Sequence, residues 1–239
     1  REVTDLFMLN DKAIAADYTV LTAGRTSKPL SDTCRLIGDA SQLFIEEGAI
    51  VECASINVTK GPVYIGRDAE VMDGATTLGP YCKVGGELNN VVMTGYSNKA
   101  HDGFLGNAVI GEWCNLGAGC TASNLKNTYG PVRLWSYATG SFVKTGLQFC
   151  GLIMGDHSKA GINTMFNTAT VVGVGVNFYG AGFPRTYIPS FHEGSTAGMK
   201  EVDMMRFFDT ASRMMSRRHI TLTEADKEIL IAIRETLTE

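Results

Sequence analysis

The sequence predicts an all-β chain wound as a three-sided β-solenoid, with a short helix before it and two helices after it. Three observations predict this. Met154, Ala160, Phe166, Val172 and Phe178 recur every sixth residue. Gly155, Gly161 and Gly173 directly follow three of them. That period is neither the 3.6 of a helix nor the 2 of a two-faced strand. A six-residue unit is one short strand plus one corner. Its apolar residue points inward, and the small residue after it leaves room for the bend. Three units close a turn of eighteen residues, the span from Gly155 to Gly173. A fixed short period of this kind marks a stacked repeat architecture.

Composition agrees. The chain has 239 residues, 27 Gly and only 6 Pro, which suits many tight corners rather than disorder. A net charge of −4 argues against nucleic acid or an anionic membrane as main partner. No apolar run of about 18 residues exists, so no membrane span is expected. Cys34, Cys53, Cys82, Cys114, Cys120 and Cys150 form no CxxC pair. Reduced thiols and a cytoplasmic setting follow as expectations. Cys82, Cys114 and Cys120 read as small apolar wall residues.

Residues 1–24 read as helical, with Asp11 as a possible cap and Gly24 as the stop. Residues 25–31 read as a linker. Solenoid rhythm begins near Ile37-Gly38 and continues through Leu116-Gly117. It slips between Val71 and Leu78, where the step is seven. Either a corner insertion or residues absent around Asp73-Gly74 would explain the slip. Residues 125–148, with Tyr129 and Trp135, read as a hairpin-like loop thrown out from one corner. Such a loop carries function or packs on a neighbouring subunit. The expected organisation is therefore 1–31 as a helical connector, 32–182 as the solenoid, and 183–239 as an exit segment with two helices. The first of these helices is expected over Lys200–Met215 and the second after a Thr223 cap, with Asp226 at the capping-box position. Both are expected to cover the solenoid's open end.

Four histidines are present: His101, His157, His192 and His219. No HxxxH or HExxH spacing occurs, so no metal site is expected. His219 ends a helix, where its charge suits the dipole. His101 stands out, in a polar run beside Asn98, Lys99 and Asp102. A neighbouring carboxylate can orient a histidine as a general base. A hydrogen-bonded corner histidine is the plainer reading. His157 is the second candidate, with a solvent-facing strand position as its plainer reading.

The run KAHDGFLGNAVIGEWCNLGAGCTASNLKN, residues 99–127, resembles the acetyltransferase half of the bifunctional N-acetylglucosamine-1-phosphate uridyltransferase and glucosamine-1-phosphate acetyltransferase. A broader resemblance, over about residues 5–191, is to a divergent branch of sugar nucleotidyltransferases. The resemblance implies a left-handed parallel β-helix of hexapeptide repeats, assembled as a homotrimer. It implies acetyl-CoA as co-substrate and a sugar phosphate as acceptor. His101 matches the base, one residue displaced because a preceding Gly is lacking. Asn124 matches the Asn that steadies the histidine or the sugar. Asn115 matches a sugar contact, and Ala118, Asp156 and Val174 fall at cofactor-side positions. The family's phosphate-holding basic residues are replaced by Asn89 and Asn90, neutral groups that cannot cancel a phosphate charge. Lys99, Lys126 and Arg133 are available substitutes. The nucleotidyltransferase half, which would use Mg2+, is absent from this stretch, so residues 1–31 read as the connector that follows it. Two functions stay open: acyl transfer to an amino-sugar phosphate, or a non-catalytic trimerising and regulatory β-helix. A zinc hydratase of the same fold is discarded for want of paired histidines.

Overall fold

The computed structural model describes residues 2–59, 61–71 and 77–238. Short strands, most of two or three residues, follow one another around three faces and stack in parallel register. The first face carries Arg35–Ile37 and Ser55–Asn57 low in the column. Higher up it carries the first parts of Glu87–Met93 and Phe104–Ile110, then Thr121–Ala122 and Met165–Phe166. The second face runs from Leu43–Ile45 to Tyr187–Ile188. The third runs from Ile50–Val51 to His192–Ser195. This is the parallel β-helix that the six-residue rhythm predicts. The step of seven and the possible gap at Asp73-Gly74 fall outside the described residues.

The small residue after each aliphatic has a steric cause. A Cβ on Gly155 would lie 2.9 Å from the carbonyl carbon of Gly173 in the next coil. Neighbouring coils touch through their backbones at that corner, so a side chain there would force them apart. The inward residues fill the prism as one core, in which Ile65, Val71, Val84, Leu105 and Ile110 are fully buried. Cys82, Cys114 and Cys120 belong to this wall, each 0% exposed. Burial pushes the Cys82 thiol up to about 11 and the Cys114 thiol to about 12. They behave as small hydrophobes rather than nucleophiles.

The N-terminal stretch is two helices, α1 (Asp5–Met8) and α2 (Asn10–Thr22). Asp11 does not cap α2. The helix starts two residues earlier than an Asp11 cap implies, with Leu9 at the cap position and no capping side-chain hydrogen bond. Phe7 anchors the segment by packing among Val109, Val132 and Ile153 against the second face. The insertion leaves the corner between first and second faces as an antiparallel hairpin, Arg133–Ser136 with Ser141–Lys144. Trp135 stacks on Tyr187 at 4.0 Å and seats the hairpin on the second face.

Two expectations for the C-terminal region need correction. Lys200 is not helical: Gly198–Glu201 is a strand antiparallel to His192–Ser195. That strand, rather than a helix, pairs with the last strand edge of the third face. The helices α3 (Met204–Ser216) and α4 (Glu224–Thr238) lie instead along the corner between second and third faces. Asp203 caps α3 by accepting from the Arg206 N–H at 3.0 Å. At α4 the capping box forms as its spacing predicts. The Thr223 N–H donates to Asp226 at 2.8 Å, and the Asp226 N–H donates to Thr223 Oγ1 at 3.2 Å.

Candidate functional site

The prism has three corners, and the residues singled out in the sequence divide among them. Lys99 and Asn115 lie on the third face. His101 and Ala118 occupy the corner between third and first faces. The register Asn98↔Asn115↔Lys159 stacks His101, Ala118 and Ile162 in one column. Asn90 and Asn124 occupy the corner between first and second faces, with Asn107 between them in register. Asp156 and Val174 occupy the corner between second and third faces. Corners of one triangular prism point away from each other, so these sets do not converge within a single chain.

At its corner His101 is exposed. The neighbouring Asp102 carboxylate does not orient the imidazole. It accepts from the Gly119 N–H at 3.2 Å and ties two coils together. Ala118 lies one rung above, and its carbonyl accepts from the Asn163 N–H at 2.7 Å. Ile162, 70% exposed, is two rungs above His101, about 10 Å at the usual strand spacing. There a groove of about 480 Å³ opens, lined by Ile162, Met165, Tyr179 and Gly180. An exposed base thus stands at the foot of an apolar shelf.

Lys99 is not available to a ligand. It is only 1% exposed, and in register it takes an inward position, that of Val84. Its ammonium turns back to the corner carbonyls of His101, Asp102 and Gly85, at 2.5, 2.8 and 3.3 Å. Burial lowers its pKa. Those three acceptors compensate a cation inside a hydrophobic column.

The asparagines are also largely committed. The Asn124 amide donates to Asn107 Oδ1 at 2.7 Å, at the opposite end of the first face from His101, so it does not steady that ring within the chain. Asn90 accepts from Asn10 at 3.1 Å and donates to the Phe7 carbonyl at 3.2 Å, fastening the N-terminal helices. Asn89 is exposed on the first face beside Gly106. Lys126 donates to the Pro131 carbonyl at 2.9 Å within its own loop. Asn115 stays on the outward side of the third face and accepts from Asn98 at 2.8 Å, next to Lys159. Neither Asn98 nor Lys159 was singled out as a site residue in the sequence, although the eighteen-residue repeat places both in the Asn115 row.

The corner between second and third faces is an aromatic column. Tyr81 stacks on Tyr96 at 5.3 Å, Tyr96 on Trp113 at 4.2 Å, and Trp113 on His157 at 6.3 Å. Phe207 of α3 meets His157 edge-on at 5.8 Å. His157 is therefore not solvent-facing; it is 7% exposed. Burial, with Lys159 nearby, pushes its pKa down to about 4. Val174 is half-buried and packs under the same helices. Asp156 is exposed, but its carboxylate holds the Glu112 N–H at 2.8 Å.

A further groove of about 640 Å³ runs between the second face, Tyr137 and α4. Its walls are almost wholly apolar, with Val109, Ile153, Val171, Ile229 and Ile233 among them. Among the described residues no group of three or more His, Cys, Asp or Glu is placed to hold a metal. None of the described helices is long and apolar enough to cross a membrane.

No protein-family model matches the chain. No curated protein matches it either. One solved structure it resembles is AntD, an N-acyltransferase from Bacillus cereus in complex with dTDP and 3-hydroxybutyryl-CoA. The two are 12% identical with a TM-score of 0.40, over 77% of this chain and 92% of that one. At that distance the likeness says nothing about chemistry.

Proposed function

We propose that the chain transfers an acetyl or similar acyl group from acetyl-CoA to the amine of an amino-sugar phosphate. The observation that carries this reading is the His101 column. An exposed imidazole sits two rungs below an apolar groove, with the outward Asn98–Asn115 pair on the adjoining face. The groove suits the pantetheine arm and acyl group, and the asparagine pair suits hydroxyl groups of a sugar. His101 takes a proton from the acceptor amine as its nitrogen attacks the thioester carbonyl. The C–N bond forms, the C–S bond breaks, and the departing thiolate takes the proton from His101, so that CoA leaves as the thiol. The chemistry needs a second copy of the chain. In a homotrimer one prism's corner meets its neighbour, so groups on different corners can share a ligand. The nucleotidyltransferase context and a cytoplasmic setting are part of the same proposal.

The test follows free thiol from acetyl-CoA with glucosamine-1-phosphate as acceptor. A general base contributes about 10²–10⁴-fold, so His101→Ala should lower the rate at least about 100-fold. Equal, near-zero release from both proteins would leave the second reading, a trimerising and regulatory scaffold. One observation favours that second reading. Lys99, Asn90 and Asn124, three polar groups that catalysis would recruit, are spent on the chain's own groups. The exposed Leu6, Leu9 and Val20 of the N-terminal helices also offer an apolar surface to a partner domain.

A further inference from the structure

Lys99 and Lys159 are two half- or fully covered lysines on the third face, and they differ in what surrounds them. Lys99 points inward and is held by three carbonyls. Lys159 lies in the outward row, in register with Asn115, and α3 partly covers it. Its ammonium donates to one carbonyl, that of His157, at 2.8 Å. Among the described residues no carboxylate lies within ion-pair distance of it. An ammonium has three donors, so two remain for something else. They open into a cleft of about 210 Å³ between the third face and α3.

The cleft's floor is Lys159 and the neutral His157; its rim holds Arg206 and Arg213 from α3, seven residues and so about two helical turns apart. Two carboxylates also line it. Each already has a cation: Glu193 pairs with Lys200 at 3.3 Å and Arg206 at 4.0 Å, and Asp209 pairs with Arg213. The lining thus carries three cations against two anions, and the unpaired charge is the one on the floor. A guanidinium offers five N–H donors, so both arginines keep donors after pairing. The volume equals about seven waters' share of the liquid.

We propose that this cleft binds a phosphoryl dianion, with Lys159 beneath it and Arg206 and Arg213 closing over it. A single carboxylate would satisfy Lys159 alone. A dianion also engages the rim, where planar guanidinium forks match phosphate oxygens. The group is either free inorganic phosphate or the phosphate of a small monoester. The cleft lies on the α3 side of the third face, one rung from Asn115, and the proposal does not depend on acyl transfer.

The test is calorimetric titration of the whole chain with inorganic phosphate, then with glycerol 1-phosphate, at low ionic strength. Saturable binding is expected, weakened at least tenfold in Lys159→Gln. Arg213→Gln lies on an exposed helix surface and should leave the fold intact; it is expected to weaken binding about threefold or more. A monoester that binds more tightly than inorganic phosphate identifies the ester as the ligand; equal affinities identify the free anion. Absence of saturable binding, or equal binding by wild type, Lys159→Gln and Arg213→Gln, overturns the proposal.

Discussion

His101 and His157 stand at two corners of one prism, and the fold treats them in opposite ways. His101 projects into water, and among the described residues its ring has no hydrogen-bond partner. His157 is a rung in an aromatic stack, roofed by Phe207, with its Nδ1 buried and unpartnered. Both follow a third-face or second-face strand by a few residues, so backbone position does not separate them. What separates them is whether helices cover the corner. α3 and α4 pack along the His157 corner and remove it from solvent. No described helix covers the His101 corner, which keeps its imidazole in reach of a ligand.

The strongest way to break this comparison is at Lys99, beside His101. If Lys99 only supports the corner, Lys99→Ala leaves a cavity and three carbonyls short of a donor. Urea unfolding should then show a loss of about 3 kcal/mol or more. Lys99→Met, which keeps the volume, should lose less. Unchanged stability with lost turnover would return Lys99 to the binding residues.

A second prediction uses pH. The His157 pKa is depressed to about 4 in the folded chain, against about 6.5 when unfolded. Between those values the unfolded state binds more protons. The stability that the neutral ring contributes is therefore fully present above pH 6.5 and is lost as pH falls toward 4. The loss should be about 3 kcal/mol at its fullest. His157→Phe should remove that component of the acid sensitivity, while His101→Phe should not. Parallel acid profiles for wild type and His157→Phe would show that the ring is not buried as described.

The smallest effect sharpens the comparison from the helix side. Thr223→Ala removes the α4 capping box and should cost about 1 kcal/mol. Hydrogen exchange should quicken in α4 and around Trp113, with no change at His101. Equal change at both corners would mean that the helices support the whole column.

The solenoid was legible because its cause is local. An inward aliphatic and a small corner residue repeat wherever coils must touch, as at Met154-Gly155 and Val172-Gly173. The α4 cap was legible for the same reason, since Thr223 and Asp226 lie within one turn. The site was less so. His101, Asn124 and Val174 are placed by the same repeat, yet the repeat does not say which corner faces water. The covering strand Gly198–Glu201 was missed because it forms only by pairing with His192–Ser195.

By itself, then, the order of residues determined a column of short parallel strands, its apolar filling, its outgrown hairpin and its capped last helix. Each depends on neighbours within a few positions or one coil. Only the tertiary structure decided that Lys99 is spent inside, that Lys159 faces a cleft, and that one histidine is roofed while the other is open. Those outcomes depend on where distant helices settle against a corner, and that is a matter of packing between segments far apart in the chain.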